Sequence, residues 1–297
     1  MPRGPSPVDL HTHTLRSDGL LEPAELVAAA AAVGVRTLAI TDHDNLAASR
    51  ELLSTPGAVP AGLELLPGVE INTVDDGVPA SWHGELHIVG LGVDLDDDAF
   101  EAVLAAQRER RRERYERTLR QLRRAGYPID DLAERLPADE RNALGRPTIA
   151  RLLVAKGFAT SVDDAFVRLV GWGMPGYVPR VGIGAREAIA AIRAAGGIAV
   201  LAHTADAAER KGGIRILMMA GLRGIEVHYR RYDAETVASV GALAARLHLV
   251  PTGGTDYHGD RETYAEAHAD IWVPESDAEA VHAALEERLP VEPQTPR

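Results

Sequence analysis

His11 and His13 stand one residue apart at the end of an apolar run, VDLHTH, and Asp18 follows in a Ser-Asp-Gly turn. Side chains alternate across a strand, so both imidazoles face the same way. Two neutral imidazoles on one side of a strand end can grip a metal ion, and Asp18 can add a hard oxygen ligand from the next loop. The competing reading is a polar rim where a strand leaves the core. The pair alone does not decide. Its partners must come from elsewhere in the chain: Asp42-His43-Asp44 after TLAITDH, Glu70 in GVEIN, His87 in ELHIVGLGV, His203 at the end of GGIAVLAH, and Asp256 and His258 in LVPTGGTDYH. Packing so many imidazoles and acids together is costly unless a cation joins them.

The elements that carry these residues alternate. Short apolar strands are expected at 8–13, 37–43, 66–73, 85–93, 196–203, 224–229 and 249–258, with helical patterns between most of them. EPAELVAAAAAV, Glu22 to Val33, reads as a helix, with Pro23 in its first turn and Gly34 at its stop. Such alternation predicts a parallel sheet with right-handed crossovers. From 96 to 180 the strand series breaks off into helices and loops. The expected organisation is therefore a barrel built from 1–95 and 181–297, with 96–180 as a helical insertion that caps the substrate cleft. In a parallel barrel all strand C-termini share one rim, and the rim carries the active site. That placement gathers the candidate residues on one face. His248, His268 and His282 lack it and read as surface residues; His228 reads as a neighbour of the site; His83 competes with His87.

Composition narrows the chemistry. The chain has 297 residues and no cysteine, so any metal must be held by His, Asp and Glu. The net charge of -12 argues against broad binding to long duplex nucleic acid, but not against a small phosphorylated substrate. The arginine-dense stretch Gln107 to Gly126 is interleaved with glutamates and reads as a solvated, salt-bridged helix. MPRGPSPVDL lacks the apolar core of a signal peptide, and no apolar run approaches the roughly 20 residues that span a bilayer. A cytoplasmic protein with no membrane partner is expected; its oligomeric state is left open.

HTHTLRSDG, ITDHDN, GVEIN, ELHIVGLG, LAH and GGTDYHG, in that order, resemble the motifs of the PHP (polymerase and histidinol phosphatase) family of metal-dependent phosphoesterases. The resemblance implies a distorted (β/α)7 barrel holding two or three divalent metal ions, with Mn expected ahead of Fe or Zn. GRPTIARLLVAKGFATSVDDAFVRLVGWGMPGYVPR, Gly145 to Arg180, resembles the insert of a subgroup acting on nucleoside 3′,5′-bisphosphates and on the 5′ end of short RNA. Thr148 stands where that subgroup has histidine, Met174 where it has lysine, and Thr204 where it has proline.

Matched motif by motif, His11, His13, Glu70 and Asp256 would hold one metal. Glu70 would bridge to a second, completed by His87 and His203. Asp18, His43 and His258 would hold a third. Arg146 would grip the substrate phosphate as the catalytic cation. Tyr177 and Arg180 would contact a base or second phosphate, with packing at a seam as the other reading of Tyr177. Asp44 would orient His43 or cap the helix from Asn45. Arg230 and Arg231 would meet a phosphate or be plain loop charge. Close cations neutralise an anionic phosphomonoester and lower the pKa of a bound water. The expected activity is removal of the 3′-phosphate from nucleoside 3′,5′-bisphosphates, with 5′-3′ trimming of short RNA. The alternatives are a histidinol-phosphate or sugar-phosphate phosphatase, and a non-catalytic module whose metals serve folding.

Overall fold

The structure is a computed structural model and describes residues 5–74, 86–134 and 144–287. Seven strands form one sheet in sequence order: β1 (Val8–Asp9), β2 (Thr37–Ile40), β3 (Glu64–Asn72), β4 (His87–Leu91), β5 (Ile198–Leu201), β6 (Gly224–Tyr229) and β7 (Val250–Gly254). Leu10 N donates to Gly253 O at 2.9 Å and Asp256 N to His11 O at 2.7 Å, which brings the last strand back against the first. The result is a nearly closed distorted barrel, the expected fold class. Helices α1 (Pro23–Ala32), α2 (Ala47–Ser54), α7 (Ala185–Ala194), α8 (Lys211–Ala220), α9 (Ala234–Leu247), α10 (Tyr264–Ala269) and α11 (Glu275–Glu286) alternate with the strands.

The expectation of a parallel sheet fails at one strand. β4 runs antiparallel to both β3 and β5, while the other pairs are parallel. β3 ends at Asn72, which pairs with His87, the first residue of β4. An apolar run reports burial, not direction, so the sequence pattern could not tell a return strand from a crossover. The reversal matters for the site. The start of β4 shares a rim with the ends of the other strands, and His87 stands at that start.

Between β4 and β5, α3 (Asp98–Arg124), α4 (Asp130–Ala133), α5 (Arg146–Ala155) and α6 (Val162–Ala165) precede α7, and a π-helical turn follows α6 over Phe166–Val170. α3 starts on Asp97, whose side chain accepts from Phe100 N at 2.9 Å; Asp98 and Glu101 occupy its first turn and Arg123 and Arg124 its last, as the helix dipole favours. Its N-terminal part sends Phe100 and Leu104 into the barrel core beside Ile189 and Ile192. Its C-terminal part places Tyr115 and Leu122 in a separate small core with Ile149, Leu153, Leu169 and Val170. One long helix thus belongs to both cores and fixes one against the other. No helix among the described residues is long and apolar enough to cross a membrane.

Three sequence expectations about individual positions are corrected. His268 is buried, with Nε2 3.0 Å from Ser6 O, because α10 turns that face under β1. Arg111 and Arg114 of the arginine-rich stretch are buried, so that helix is not solvated all round. Asp44 does not cap α2, whose N-cap position is Leu46; Asn45 Oδ1 accepts from Ala47 N instead.

Candidate metal centre

The strand ends deliver their side chains to one point. Glu70 is the hub and is 1% exposed. Its Oε1 lies 2.7 Å from His87 Nδ1, 3.1 Å from His203 Nε2 and 3.6 Å from His11 Nε2. Its Oε2 lies 2.8 Å from His43 Nδ1 and 3.4 Å from His13 Nε2. Asp256 Oδ1 sits 3.2 Å from His13 Nε2, 3.4 Å from His11 Nε2 and 3.4 Å from His258 Nδ1. Asp18 offers Oδ2 at 3.6 Å from His43 Nε2 and Oδ1 at 3.2 Å from His258 Nε2. The ligand-type atoms fall into three groups, each with its members within 4.8 Å of one another: His11, His13 and Glu70; Glu70, His87 and His203; His13, Asp18, His43 and His258. His13 therefore faces two of the groups, whereas the motif matching placed it in one.

Local structure accounts for the convergence. The carboxylate of Asp42 accepts from Thr14 N at 2.7 Å, Thr14 Oγ1 at 2.6 Å and Ser17 Oγ at 2.6 Å, and so folds the loop that presents Asp18. Asp9 does the same at β7, accepting from Thr255 N at 2.9 Å and Thr255 Oγ1 at 2.8 Å just before Asp256. Gly254 has no room for a side chain: a Cβ there would lie 2.4 Å from His11 Cβ. Asp44, His203 and Asp256 have φ of 51°, 27° and 49°, in the left-handed region that non-glycine residues seldom adopt. Backbone strain collected along one rim is a mark of a functional site.

Charge shows what the cluster can hold. Burial pushes His13 down to about 3, helped by the charge on His258. Burial also holds His87 at about 4, against the pull of Glu70. For His258 burial opposes protonation, but Asp18 and Asp256 outweigh it and raise the ring to about 9. Burial alone would raise Glu70 and Asp256; their imidazole neighbours instead hold both well below the usual carboxylate range. His11 Nε2, His13 Nε2, both oxygens of Asp18, His43 Nδ1 and Glu70 Oε2 are buried without a hydrogen bond of good geometry. Buried polar atoms that face one another without bonding fit a cation held among them, and imidazoles mixed with carboxylates suit Mn, Fe or Zn. These His, Asp and Glu clusters are able to bind metal.

The centre opens into a cavity of about 240 Å³ lined by Asp18, Glu70, His87, Arg111, Arg146 and Arg180, among others. Arg146 begins α5, and its guanidinium stands 5.8 Å from the Phe166 ring centroid. Gly145, just before it, comes so close that a Cβ would lie 2.8 Å from Asp18 Oδ2, which presses the insertion against the metal centre. Tyr177 is not in this lining. Its ring packs 5.0 Å from that of Trp172. Arg230 does not line it either: it pairs with Asp260 at 2.6 Å and donates to the carbonyls of Thr255 and Asp256, while exposed Arg231 also meets Asp260. His228 lies 3.4 Å from Asp277 of α11, away from the centre. His83 falls outside the described residues.

Sequence reasoning missed Glu226 and Arg111. Glu226 is buried in β6; its Oε1 lies 3.1 Å from His11 Nδ1 and its Oε2 accepts from His203 N at 2.7 Å. An acid inside the apolar run GIEVHY was the available signal. Arg111 was hidden among exposed arginines of the same helix.

A seven-stranded barrel with such a cluster on its rim defines a class. A PHP domain model matches residues 9–143, and the chain belongs to the PHP family of metal-dependent phosphoesterases. Within it, the chain is 36% identical over 283 residues to the 5′-3′ exoribonuclease Rnm of Escherichia coli (strain K12), covering 90% of this chain and 89% of that one. It is 33% identical over 261 residues to the 3′,5′-nucleoside bisphosphate phosphatase of Chromobacterium violaceum, covering 86% and 88%. A solved structure from Bifidobacterium adolescentis, described as a metal-dependent phosphoesterase, superposes with a TM-score of 0.80 at 30% identity, covering 93% of this chain and 95% of that one.

Proposed function

We propose that this chain removes the 3′-phosphate of nucleoside 3′,5′-bisphosphates and trims short RNA from its 5′ end. The reading is carried by one observation: a Glu70-centred cluster of imidazoles and acids opens into a cavity shared with Arg111, Arg146 and Arg180. Similarity to relatives named for those two activities supports the choice of substrate. His11, His13, Glu70 and Asp256 would hold one divalent ion; Glu70, His87 and His203 a second; Asp18, His43 and His258 a third, with manganese as the expected metal. Bound divalent ions supply charge neutralisation at the phosphate and activation of water. The insertion, 96–180, acts as the substrate cap.

The chain's own groups do the rest. Glu226 faces His11 Nδ1, so that ring can donate from Nδ1 and keep the Nε2 lone pair on the centre. Tyr229 donates its hydroxyl to Asp256 Oδ2 at 3.0 Å and fixes that carboxylate. Arg146 presents a planar fork that matches phosphate oxygens, and Arg180 adds a second cation for the non-scissile end. Tyr177 lies outside the cavity lining and packs on Trp172, which favours its reading as a seam contact over a contact with the base.

Purified protein with Mn²⁺ should release inorganic phosphate from adenosine 3′,5′-bisphosphate and leave the 5′-monophosphate. Good turnover of histidinol phosphate or a sugar phosphate with none on the bisphosphate would replace this reading. Arg146→Ala should lower kcat/KM about 100-fold while leaving metal content unchanged.

A further inference from the structure

None of the expected metal ligands lies on β6, yet this strand touches three residues that are expected ligands. Glu226 meets His11 and the backbone N–H of His203, and Tyr229 meets Asp256. Residues three apart on an unbroken strand face opposite ways. A bulge lets both reach the centre: the register of β6 against β7 shifts between Glu226 and His228. His228 turns to Asp277 of α11, and Tyr229 comes back to Asp256.

The next residue, Arg230, carries this support onto the turn after β7. Its side chain is only 3% exposed. Nε donates to Thr255 O, and Nη2 donates to Asp256 O at 3.2 Å. Nη2 also reaches both oxygens of Asp260, at 2.7 and 2.6 Å, so the cation is paired locally. A planar guanidinium fork fits two successive carbonyls beside a carboxylate; a point-like ammonium does not. The turn it grips is the strained one, in which Asp256 has a φ of 49°.

Asp256 O has a second donor. A carbonyl only accepts, so His258 Nδ1, 3.0 Å away, must carry the proton. In the neutral ring that leaves the lone pair on Nε2, which lies 3.2 Å from Asp18 Oδ1 in the group formed with His13 and His43. The carbonyl that Arg230 holds is therefore the one that presents His258 Nε2 for ligation.

We propose that Arg230 is a positioning residue of the metal centre: it pins the Thr255 and Asp256 carbonyls, and the pinned Asp256 carbonyl keeps the His258 ring turned with Nε2 toward the cation. This rests on the metal-centre part of the proposed function and not on the choice of substrate.

Mn²⁺ affinity, titrated through the free-ion EPR signal, tests it beside kcat and KM for adenosine 3′,5′-bisphosphate. Arg230→Met should weaken one Mn²⁺ site about 10-fold and lower kcat/KM in step, with excess Mn²⁺ restoring most of the rate. Loss of a positive charge near a cation site would by itself tighten binding, so a weakened site reports position and not charge. Arg230→Lys keeps the charge beside Asp260 but not the fork, and should recover only part of the affinity. If the Met variant fails to fold, the Lys variant carries the test. Wild-type or tighter Mn²⁺ affinity in every variant that folds overturns the proposal. With such affinity, a raised KM that excess Mn²⁺ does not repair would make Arg230 a phosphate contact, and a lower unfolding temperature alone would make it a brace of the loop. Metal affinity is read without turnover, so wild-type protein that binds Mn²⁺ but spares the bisphosphate loses only the substrate reading. Wild-type protein that binds no Mn²⁺ removes the metal centre, and this inference with it.

Discussion

Glu70 shares its two oxygens among His11, His13, His43, His87 and His203, all within 3.6 Å. Asp18 faces only His43 and His258, and Asp256 faces His11, His13 and His258 but not His87 or His203, so neither carboxylate reaches all that Glu70 does. Glu70→Gln keeps the shape but removes the charge and one acceptor. It should lower activity roughly 100-fold or more and reduce bound Mn²⁺ by at least one ion per chain, read by metal analysis beside phosphate release. Normal metal content in that variant would contradict the bridging role. At the same scale, Glu226 shows how an unremarked acid can matter: it touches a ring nitrogen of His11 and the backbone N–H of His203 at once.

At the level of elements, the centre depends on close strand approach at the rim. Gly254 of β7 lies against His11, and a methyl group there would meet His11 N as well as Cβ at 2.4 Å. The backbone on both sides is hydrogen-bonded, so neither strand can give way cheaply. Gly254→Ala should therefore cost about 1–3 kcal/mol of stability, measured by denaturant midpoint, and should weaken metal binding by displacing His11 without replacing any ligand. Stability and metal affinity equal to wild type would show that the rim is looser than this packing implies. β4 illustrates a second dependence: only because it is reversed does its first residue, His87, reach the same rim as His203 at the end of β5.

For the molecule as a whole, protons and metal compete for one buried cluster. Without metal, His258 is held protonated up to about 9, against an ordinary value of 6.5. A base raised in the folded state contributes stability that is complete below about 6.5 and lost as pH rises through about 9. Metal ligation needs the neutral ring, so cation affinity should climb over the same window. The unfolding temperature of metal-free protein should fall between pH 6.5 and 9, and the rise produced by Mn²⁺ should grow over that interval. At 100 times the dissociation constant the metal adds about 2.7 kcal/mol. A metal-induced rise that is constant from pH 6 to 9 would show that His258 does not give up a proton to the ion.

Much of this was legible in the chain itself. His-x-His at the end of VDLHTH, the acid and imidazole runs after later apolar segments, and the absence of cysteine already indicate a His/Asp/Glu cluster on a barrel rim. Strand periodicity sets which way a side chain faces, and composition sets which ligands exist; both are local properties. Tertiary structure alone decided the rest. The direction of β4, the burial of Arg111 on a helix that reads as solvated, the inward turn of His268, and the contacts of Glu226 with His11 and Asp44 with Arg111 all join residues far apart in sequence. A linear pattern specifies how often a face recurs, not what is brought opposite to it. The partner of a buried charge is settled only when the sheet closes and the helices pack on it.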